Sequence, residues 1–199
     1  MNTKYKLPEY CMMMILVSFL GFLVEDIWIG ATEGYIDNRN MLLPFLSGYG
    51  LAVIGFYIVL GTPGKLRAAE KLDIHINRKW SFVIYFIAAF FLISLCEILL
   101  GTFVERRFGF VYWNYSNLPL HLTKYTSVPT SLGFSLILTL FMEYSFTPIM
   151  SRIVDMPSWL KTLSVIAAVI LLADLVISFG FIYKNRAANF IWRRLVFHL

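Results

Sequence analysis

The sequence predicts an all-α membrane protein, a polytopic transmembrane helical bundle of about five spans that forms a single domain over residues 1–199. Of the 199 residues, 59% are hydrophobic and only 15% are charged, against about 45–50% apolar and about 25% charged residues in soluble domains. The mean hydropathy is +0.71. So little polar material cannot cover the surface of a soluble protein of this length. The composition therefore favours a bundle embedded in lipid.

Five apolar stretches are long enough to cross a bilayer, which takes about 20 mainly apolar residues. Each lacks charged side chains over most of its length, and a soluble fold would not contain so many long apolar helices in a small chain. The predicted spans are residues 9–31, 42–62, 80–104, 127–149 and 161–183.

The segments outside the spans predict the orientation of the chain. Lysines precede the first span and no small-residue cleavage site follows it, so we interpret it as a retained helix rather than a signal peptide. Basic residues are concentrated in residues 63–79, which predicts that this loop and the N-terminus lie inside. The tail, residues 184–199, places its apolar side chains towards one side and is predicted to lie on the membrane surface. The net charge of +5 thus reflects a lipid bilayer as partner and does not indicate nucleic-acid binding.

Carboxylates within the apolar helices are the main clue to function. An Asp at a helix centre costs about 2.5–3.5 kcal/mol on insertion scales, so such groups normally face a bundle interior and have partners. The functional interpretation is a polar cavity that opens outwards and is lined by Glu25, Glu97 and Glu105. The alternative is that Glu25 and Glu105 only mark membrane boundaries. The acids within or at the ends of spans are Glu25, Glu97, Glu105 and Asp174, and the candidate basic partners are Arg39, Arg106 and Arg107.

An aromatic loop follows the third span and ends in Trp113-Asn114-Tyr115-Ser116. Aromatic residues at this position are typical of an interfacial belt, but here Asn114 and Ser116 alternate with the rings. Two prolines, at positions 119 and 129, then bracket a polar stretch. We therefore predict that this outside loop is partly re-entrant, which is tolerated only where protein or water covers the backbone.

The fourth span carries a stripe of polar residues at intervals of four, which keeps them on one slowly winding face. Such a stripe is compatible with a transport pathway. It is also compatible with close helix packing, in which small hydroxyl residues bond across the interface. The stripe consists of Ser127, Ser131, Ser135, Thr139 and Glu143.

Spans one and three end in similar sequences, Leu23-Val24-Glu25 and Phe103-Val104-Glu105. Each is followed by an Asn-containing turn and a Leu-Pro pair before the next span begins. Two hairpins that enter the membrane in the same direction would form a parallel repeat of the kind found in transporters. Chance similarity between two apolar segments explains the pattern equally well.

Four segments together resemble a known family: FLGFLVE (19–25), IDNRNMLLPFLSGYG (36–50), CEILLGTFVE (96–105) and WNYSNLPLHLTKYTSVPTSLG (113–133). They resemble the small bacterial membrane proteins of the CmpB-like type IV group of ABC-transporter permeases. The resemblance covers roughly residues 10–150. The chain departs from the group at Asn40, at Leu43 and at Asn114, where an amide replaces the usual acid.

The resemblance implies a permease of the bacterial inner membrane, with no cofactor and no metal site. In this hypothesis the three glutamates bind a cation or cationic group, while Asn38, Arg39 and residues 113–116 shape the entrance. The chain has no G-x-x-x-x-G-K-[ST] motif, so an ATP-driven system needs a separate ATPase subunit.

Two other functions remain open from the sequence. One is an intramembrane enzyme for a lipid or lipid-linked substrate, with a carboxylate as general base and Arg39 as phosphate ligand. The other is a non-catalytic assembly partner, in which internal ion pairs saturate the acids. No nucleophile motif accompanies the carboxylates, and we expect that the chain is not an enzyme.

Overall fold

A computed structural model describes residues 5–37, 39–187 and 194–195 of the chain, and helices dominate it. In chain order the helices are α1 Leu7–Glu33, α2 Ser47–Leu60, α3 Arg67–Leu72, α4 Arg78–Phe108, α5 Val128–Leu140, α6 Phe146–Val154 and α7 Ser158–Asn185. A π-helical turn, Phe141–Ser145, joins α5 to α6, so that Val128–Val154 is one continuous helix. Three antiparallel strand pairs complete the fold: β1 Tyr35–Ile36 with β6 Arg194–Leu195, β2 Gly61–Thr62 with β3 Lys65–Leu66, and β4 His121–Thr123 with β5 Thr126–Ser127.

Within the described residues, four helices are long and apolar enough to cross a membrane, which confirms the predicted polytopic helical class. They coincide with predicted spans one, three, four and five. The second predicted span, 42–62, is shorter than expected, because α2 has only 14 residues and reaches about 21 Å at 1.5 Å per residue. The four long helices are Leu7–Ala31, Arg78–Phe108, Val128–Val154 and Ser158–Asn185.

The chain forms two compact units, one of Met1–Ile54 with Ile149–Leu199 and the other of Gly55–Pro148. In the first unit, α1 packs against α7. Polar contacts join the two helices near one end, where Ser164 Oγ donates to Pro8 O over 2.8 Å and Lys161 Nζ lies 3.6 Å from a Glu9 carboxylate oxygen. Apolar side chains fill the rest of this core, among them Met13, Ile29, Leu171 and Ile182.

The segment between residues 39 and 46 is non-helical, although it enters the first unit as far as the middle of α1. The amide of Leu46 donates to the carbonyl of Ser18, which lies near the centre of that helix. Asp174 on α7 accepts hydrogen bonds from the amides of Leu42 and Leu43, at 2.9 and 3.0 Å. Non-helical backbone at membrane depth is tolerated where the protein pairs its polar groups. These bonds explain why α2 starts only at Ser47.

In the second unit, α4 packs against α5, and the four hydroxyl residues of the polar stripe, Ser127, Ser131, Ser135 and Thr139, are buried. Ser135 and Thr139 donate to carbonyls of their own helix, as small hydroxyl residues at packed interfaces commonly do. The loop after α4 returns as the β4–β5 hairpin. Its Thr126 contacts Glu97, which lies eleven residues before the end of α4, a distance of about 16 Å along the helix. This geometry agrees with the predicted partly re-entrant loop.

The predicted amphipathic tail lies mostly outside the described residues. Residues 184–187 continue from α7, and the backbone of Arg194–Leu195 pairs with that of β1. The surface location of the tail stays a prediction.

Asp174→Ala should lower the free energy of unfolding by about 2 kcal/mol or more, because two amides of the re-entrant segment lose their acceptor inside the protein. Thermal unfolding of the purified protein in detergent measures the change. Asp155→Ala, in an exposed turn, is the matched control and should leave the midpoint unchanged. Equal midpoints for both variants would contradict the role assigned to Asp174.

Candidate functional site

The first glutamate cluster consists of Glu25, Arg39 and Tyr49. Arg39 Nε lies 2.9 Å from Glu25 Oε1, and the Tyr49 hydroxyl donates to the other carboxylate oxygen. Tyr49 also packs over Gly21, where a Cβ atom would lie 2.7 Å from the Tyr49 ring. The close approach requires glycine at position 21. The cluster therefore attaches the start of α2 and the loop before it to α1.

The second glutamate cluster consists of Glu105, Lys124 and Tyr125. Lys124 Nζ lies 2.5 Å from Glu105 Oε1, and the Tyr125 hydroxyl donates to Oε2. The hydrogen bond to Glu105 raises the pKa of Lys124 above its ordinary value. Tyr125 packs over Gly101, where a Cβ atom would lie 2.3 Å from its ring. The cluster attaches the β4–β5 hairpin to α4.

The two clusters share the same arrangement of contacts. In each, a glycine lies four residues before the glutamate, a tyrosine covers the glycine and donates to the glutamate, and a cation from the following loop pairs with the same carboxylate. The tyrosine follows the glutamate by 24 residues in the first cluster and by 20 in the second. The matched contacts show that the two segments share a local arrangement, and their relation as a parallel repeat stays a prediction.

Glu97 differs from the two clustered glutamates in its partners. Thr126 Oγ1 donates to Glu97 Oε2 over 2.7 Å, and Ser131 Oγ donates to the same oxygen over 3.2 Å. The two hydroxyls are fully buried and lie 2.9 Å apart. In the described part of the chain, no basic group lies within salt-bridge distance of Glu97. Its carboxylate is thus solvated by hydroxyls but not neutralised by a neighbouring cation.

The polar group around Glu97 has no counterpart in the first repeat. Aligning the two clusters on their glutamates and tyrosines gives the positions that correspond to Glu97, Thr126 and Ser131. Those positions hold an aliphatic residue and two glycines: Val17, Gly50 and Gly55. The second repeat alone therefore carries a third carboxylate with its own hydroxyl partners.

The Trp113–Ser116 block supports the second cluster through hydrogen bonds to its backbone. Trp113 Nε1 donates to the carbonyl of Tyr125 over 2.9 Å, and the Tyr115 amide donates to the carbonyl of Lys124 over 2.8 Å. Asn114 and Ser116 are exposed, and the Asn114 side chain accepts from the Ser116 amide. This block positions the hairpin.

The structure thus distributes the predicted site residues over two units. Glu25 lies with Arg39 in the first unit, and Glu97 and Glu105 lie with the 113–116 block in the second. Asn38 lies outside the described residues. The predicted cavity lined by all three carboxylates stays a prediction.

Several residues of the clusters were missed by reasoning from the sequence. Arg39 was among the predicted basic partners, whereas Lys124, and not Arg106 or Arg107, pairs with Glu105. The signal in the sequence was the repeated G-x-x-x-E at 21–25 and 101–105, each followed by a tyrosine. No three His, Cys, Asp or Glu side chains of the described residues are grouped as a metal site requires. The overlooked cluster members are Gly21, Tyr49, Lys124 and Tyr125.

Residues 12–179 match a family model described as "Putative ABC-transporter type IV". No curated protein and no solved structure matches the chain. The matched range contains both glutamate clusters and Glu97.

Gly101→Ala should destabilise the protein by about 1–3 kcal/mol, because the added methyl group overlaps the Tyr125 ring and must displace it. Thermal unfolding in detergent measures the effect. Gly133→Ala on α5 is the matched control, since a Cβ atom there meets nothing within 4 Å, and it should be neutral or stabilise by about 0.5–1 kcal/mol. If the two alanine variants unfold alike, Tyr125 does not pack on Gly101 as described.

Proposed function

The chain belongs to the family described as "Putative ABC-transporter type IV", and from this premise we propose that it is the membrane-spanning permease subunit of a transport system in which Glu97 binds a cation or cationic group. The family match and the four long apolar helices support a membrane transport component. The choice of Glu97 rests on its partners.

The proposal depends on which carboxylate lacks a counter-charge. Glu25 and Glu105 are paired with Arg39 and Lys124, so each cluster is close to neutral and serves to hold a loop. Glu97 has two hydroxyl donors, which reduce the cost of burying its charge without cancelling it. A bound cation or a proton supplies the missing charge. An uncompensated carboxylate within a membrane helix is typical of a substrate or ion pathway.

A separate ATPase completes this proposal. The chain has no phosphate-binding loop of the Walker type, so ATP hydrolysis belongs to another subunit. The segment before α4 carries Lys65 and Lys71, and the first turn of α4 carries Arg78 and Lys79, all of them exposed. The inside-positive bias supports a cytoplasmic location for this region and for the N-terminus in the inner membrane. Arg39 and the 113–116 block then lie on the outer side, where they shape the entrance.

A non-catalytic assembly partner is the second candidate function, and the ion pairs of Glu25 and Glu105 favour it. The remaining hypothesis, a lipid-modifying enzyme, needs Arg39 as a phosphate ligand. The guanidinium is already bonded to Glu25, so no contact of the described residues favours that function.

Glu97→Gln should abolish cation binding, since the amide keeps the size of the side chain but removes its charge. The purified full-length protein in lipid nanodiscs is titrated with sodium, potassium and choline, and tryptophan fluorescence is recorded. Trp113 is the expected reporter, because it bonds to Tyr125, the neighbour of Thr126. We expect a saturable change in the wild type.

Two control variants make this titration specific. Glu70→Gln, at an exposed position on α3, should respond like the wild type. Trp159→Phe, at an exposed position on α7, should keep the fluorescence change, because Trp113 is the expected reporter. A wild type that responds to none of the three cations would contradict the cation site and leave the assembly role.

Affinity purification of the tagged chain from its native membranes should recover ATP hydrolysis, because the proposed system needs an ATPase that this chain does not encode. Phosphate release from ATP by the eluate measures it. The same purification from cells that carry the untagged chain is the control. Equal phosphate release from both eluates would count against an ATPase partner.

A further inference from the structure

A second polar feature of the Gly55–Pro148 unit begins at Glu97 and runs away from the β4–β5 hairpin. We call it the α4–α5 seam. On α4 the seam follows every fourth residue, and on α5 it follows the polar stripe. A hydrogen bond joins the two helices near each end of the seam. Ser131 donates to Glu97 over 3.2 Å, and Arg78 Nε donates to Glu143 over 2.8 Å. The seam consists of Ser81, Tyr85, Ala89, Ile93 and Glu97 on one side and Ser131, Ser135, Thr139 and Glu143 on the other.

Residues at intervals of four form a ridge that winds slowly around a helix, and ridges of this kind on two helices can interdigitate where the helices cross. The two end contacts set an antiparallel register between α4 and α5. In this register Tyr85 lies between the contacts, one helical step from Ser81 and three from Glu97. Its level on α5 falls between Ser135 and Glu143.

Tyr85 is unusual in the seam because its buried hydroxyl lacks a hydrogen-bond partner within the described residues. Its side chain is completely buried. An unpaired buried hydroxyl costs about 1–3 kcal/mol, so native proteins rarely keep one without a partner such as an internal water molecule. Buried water needs polar neighbours, and Ser135 and Thr139, which are fully buried on the helix that packs against α4, supply hydroxyl groups.

The helix opposite Tyr85 is also irregular. The amide of Phe146 bonds to the carbonyl of Phe141, five residues earlier, within the π-helical turn that contains Glu143. Such turns insert an extra residue into a helix and are frequent at functional sites. The irregularity coincides with the inner end of the seam.

We propose that the α4–α5 seam holds a chain of water molecules that conducts protons between Glu97 and the Glu143–Arg78 pair. Protonated Glu97 gives its proton to the first water, each water passes one proton to the next, and the last releases one at Glu143. One proton enters for each that leaves, and Glu97 is then reprotonated from its own side. Ser135 and Thr139 donate to carbonyls of their own helix and offer acceptor lone pairs to such a chain, while the Tyr85 hydroxyl can both donate and accept. The distance from Glu97 to Arg78 along α4 is about 28 Å.

The inference deepens the proposed function, because it makes the proton a ligand of Glu97 and rests on the placement of that residue within the membrane. Acidic residues within membrane helices commonly form proton relays. The seam requires neither ATP nor a partner subunit, so it can be tested with this chain alone.

The test measures proton entry into liposomes that contain the purified full-length protein and an internal pH-sensitive dye. A potassium gradient with valinomycin supplies the driving force. Tyr85→Phe removes one hydroxyl oxygen and should slow proton entry by about tenfold, because one link of the relay is lost. The matched control is Tyr144→Phe, at an exposed position on the continuous α5–α6 helix, which should conduct like the wild type.

The outcomes separate this inference from the proposed cation site. Faster proton entry with the wild type than in protein-free liposomes, slowed in Tyr85→Phe alone, supports the relay. Equal rates for the wild type and Tyr85→Phe, or a wild type no faster than protein-free liposomes, overturn it. A Tyr85→Phe protein that conducts poorly but still binds cations in the fluorescence titration places the loss in the seam. A wild type that binds cations but conducts no protons overturns the relay and leaves the proposed function standing.

Discussion

Backbone amides and carbonyls cannot stay unpaired inside a bilayer, and this constraint governs how non-helical chain enters the protein. The segment before α2 reaches the middle of α1 because Asp174 binds the amides of Leu42 and Leu43, and Asn40 donates to the carbonyl of Ser178. A carboxylate accepts two amides at once and forms stronger bonds than a neutral acceptor. Asp174 is therefore buried because it replaces the helical bonds that this segment lacks.

The two glutamate clusters solve a related problem by electrostatics. Each holds a returning loop against a long helix through one carboxylate, one tyrosine hydroxyl and one cation. The paired side chains are partly exposed, so each ion pair contributes at most about 1 kcal/mol, and the packing of the tyrosine on the glycine also holds the loop. The same arrangement recurs in both clusters, so the partly exposed charges of Glu25 and Glu105 serve to hold loops. The same recurrence isolates Glu97, whose surroundings are not duplicated.

Glu97 and the α4–α5 seam add polar side chains to the second unit that are not needed to attach its loops. Thr126 and Ser131 orient the carboxylate, and the row of hydroxyls continues from there towards Glu143. Ser135 and Thr139 also donate to their own helix, so the stripe serves helix packing as well. A hydroxyl that donates backwards still has lone pairs for a second partner, so close packing and a polar path are compatible on this interface.

The sequence by itself determined the membrane class and the four long helices, because apolar length is a local property that hydropathy reports directly. It also located the acids and one correct cation, Arg39. Only the tertiary structure decided that α2 would be short, since its cause is Asp174, more than a hundred residues away in the chain. It likewise decided that Lys124 rather than Arg106 pairs with Glu105, because returning loops, and not proximity in sequence, bring those partners together.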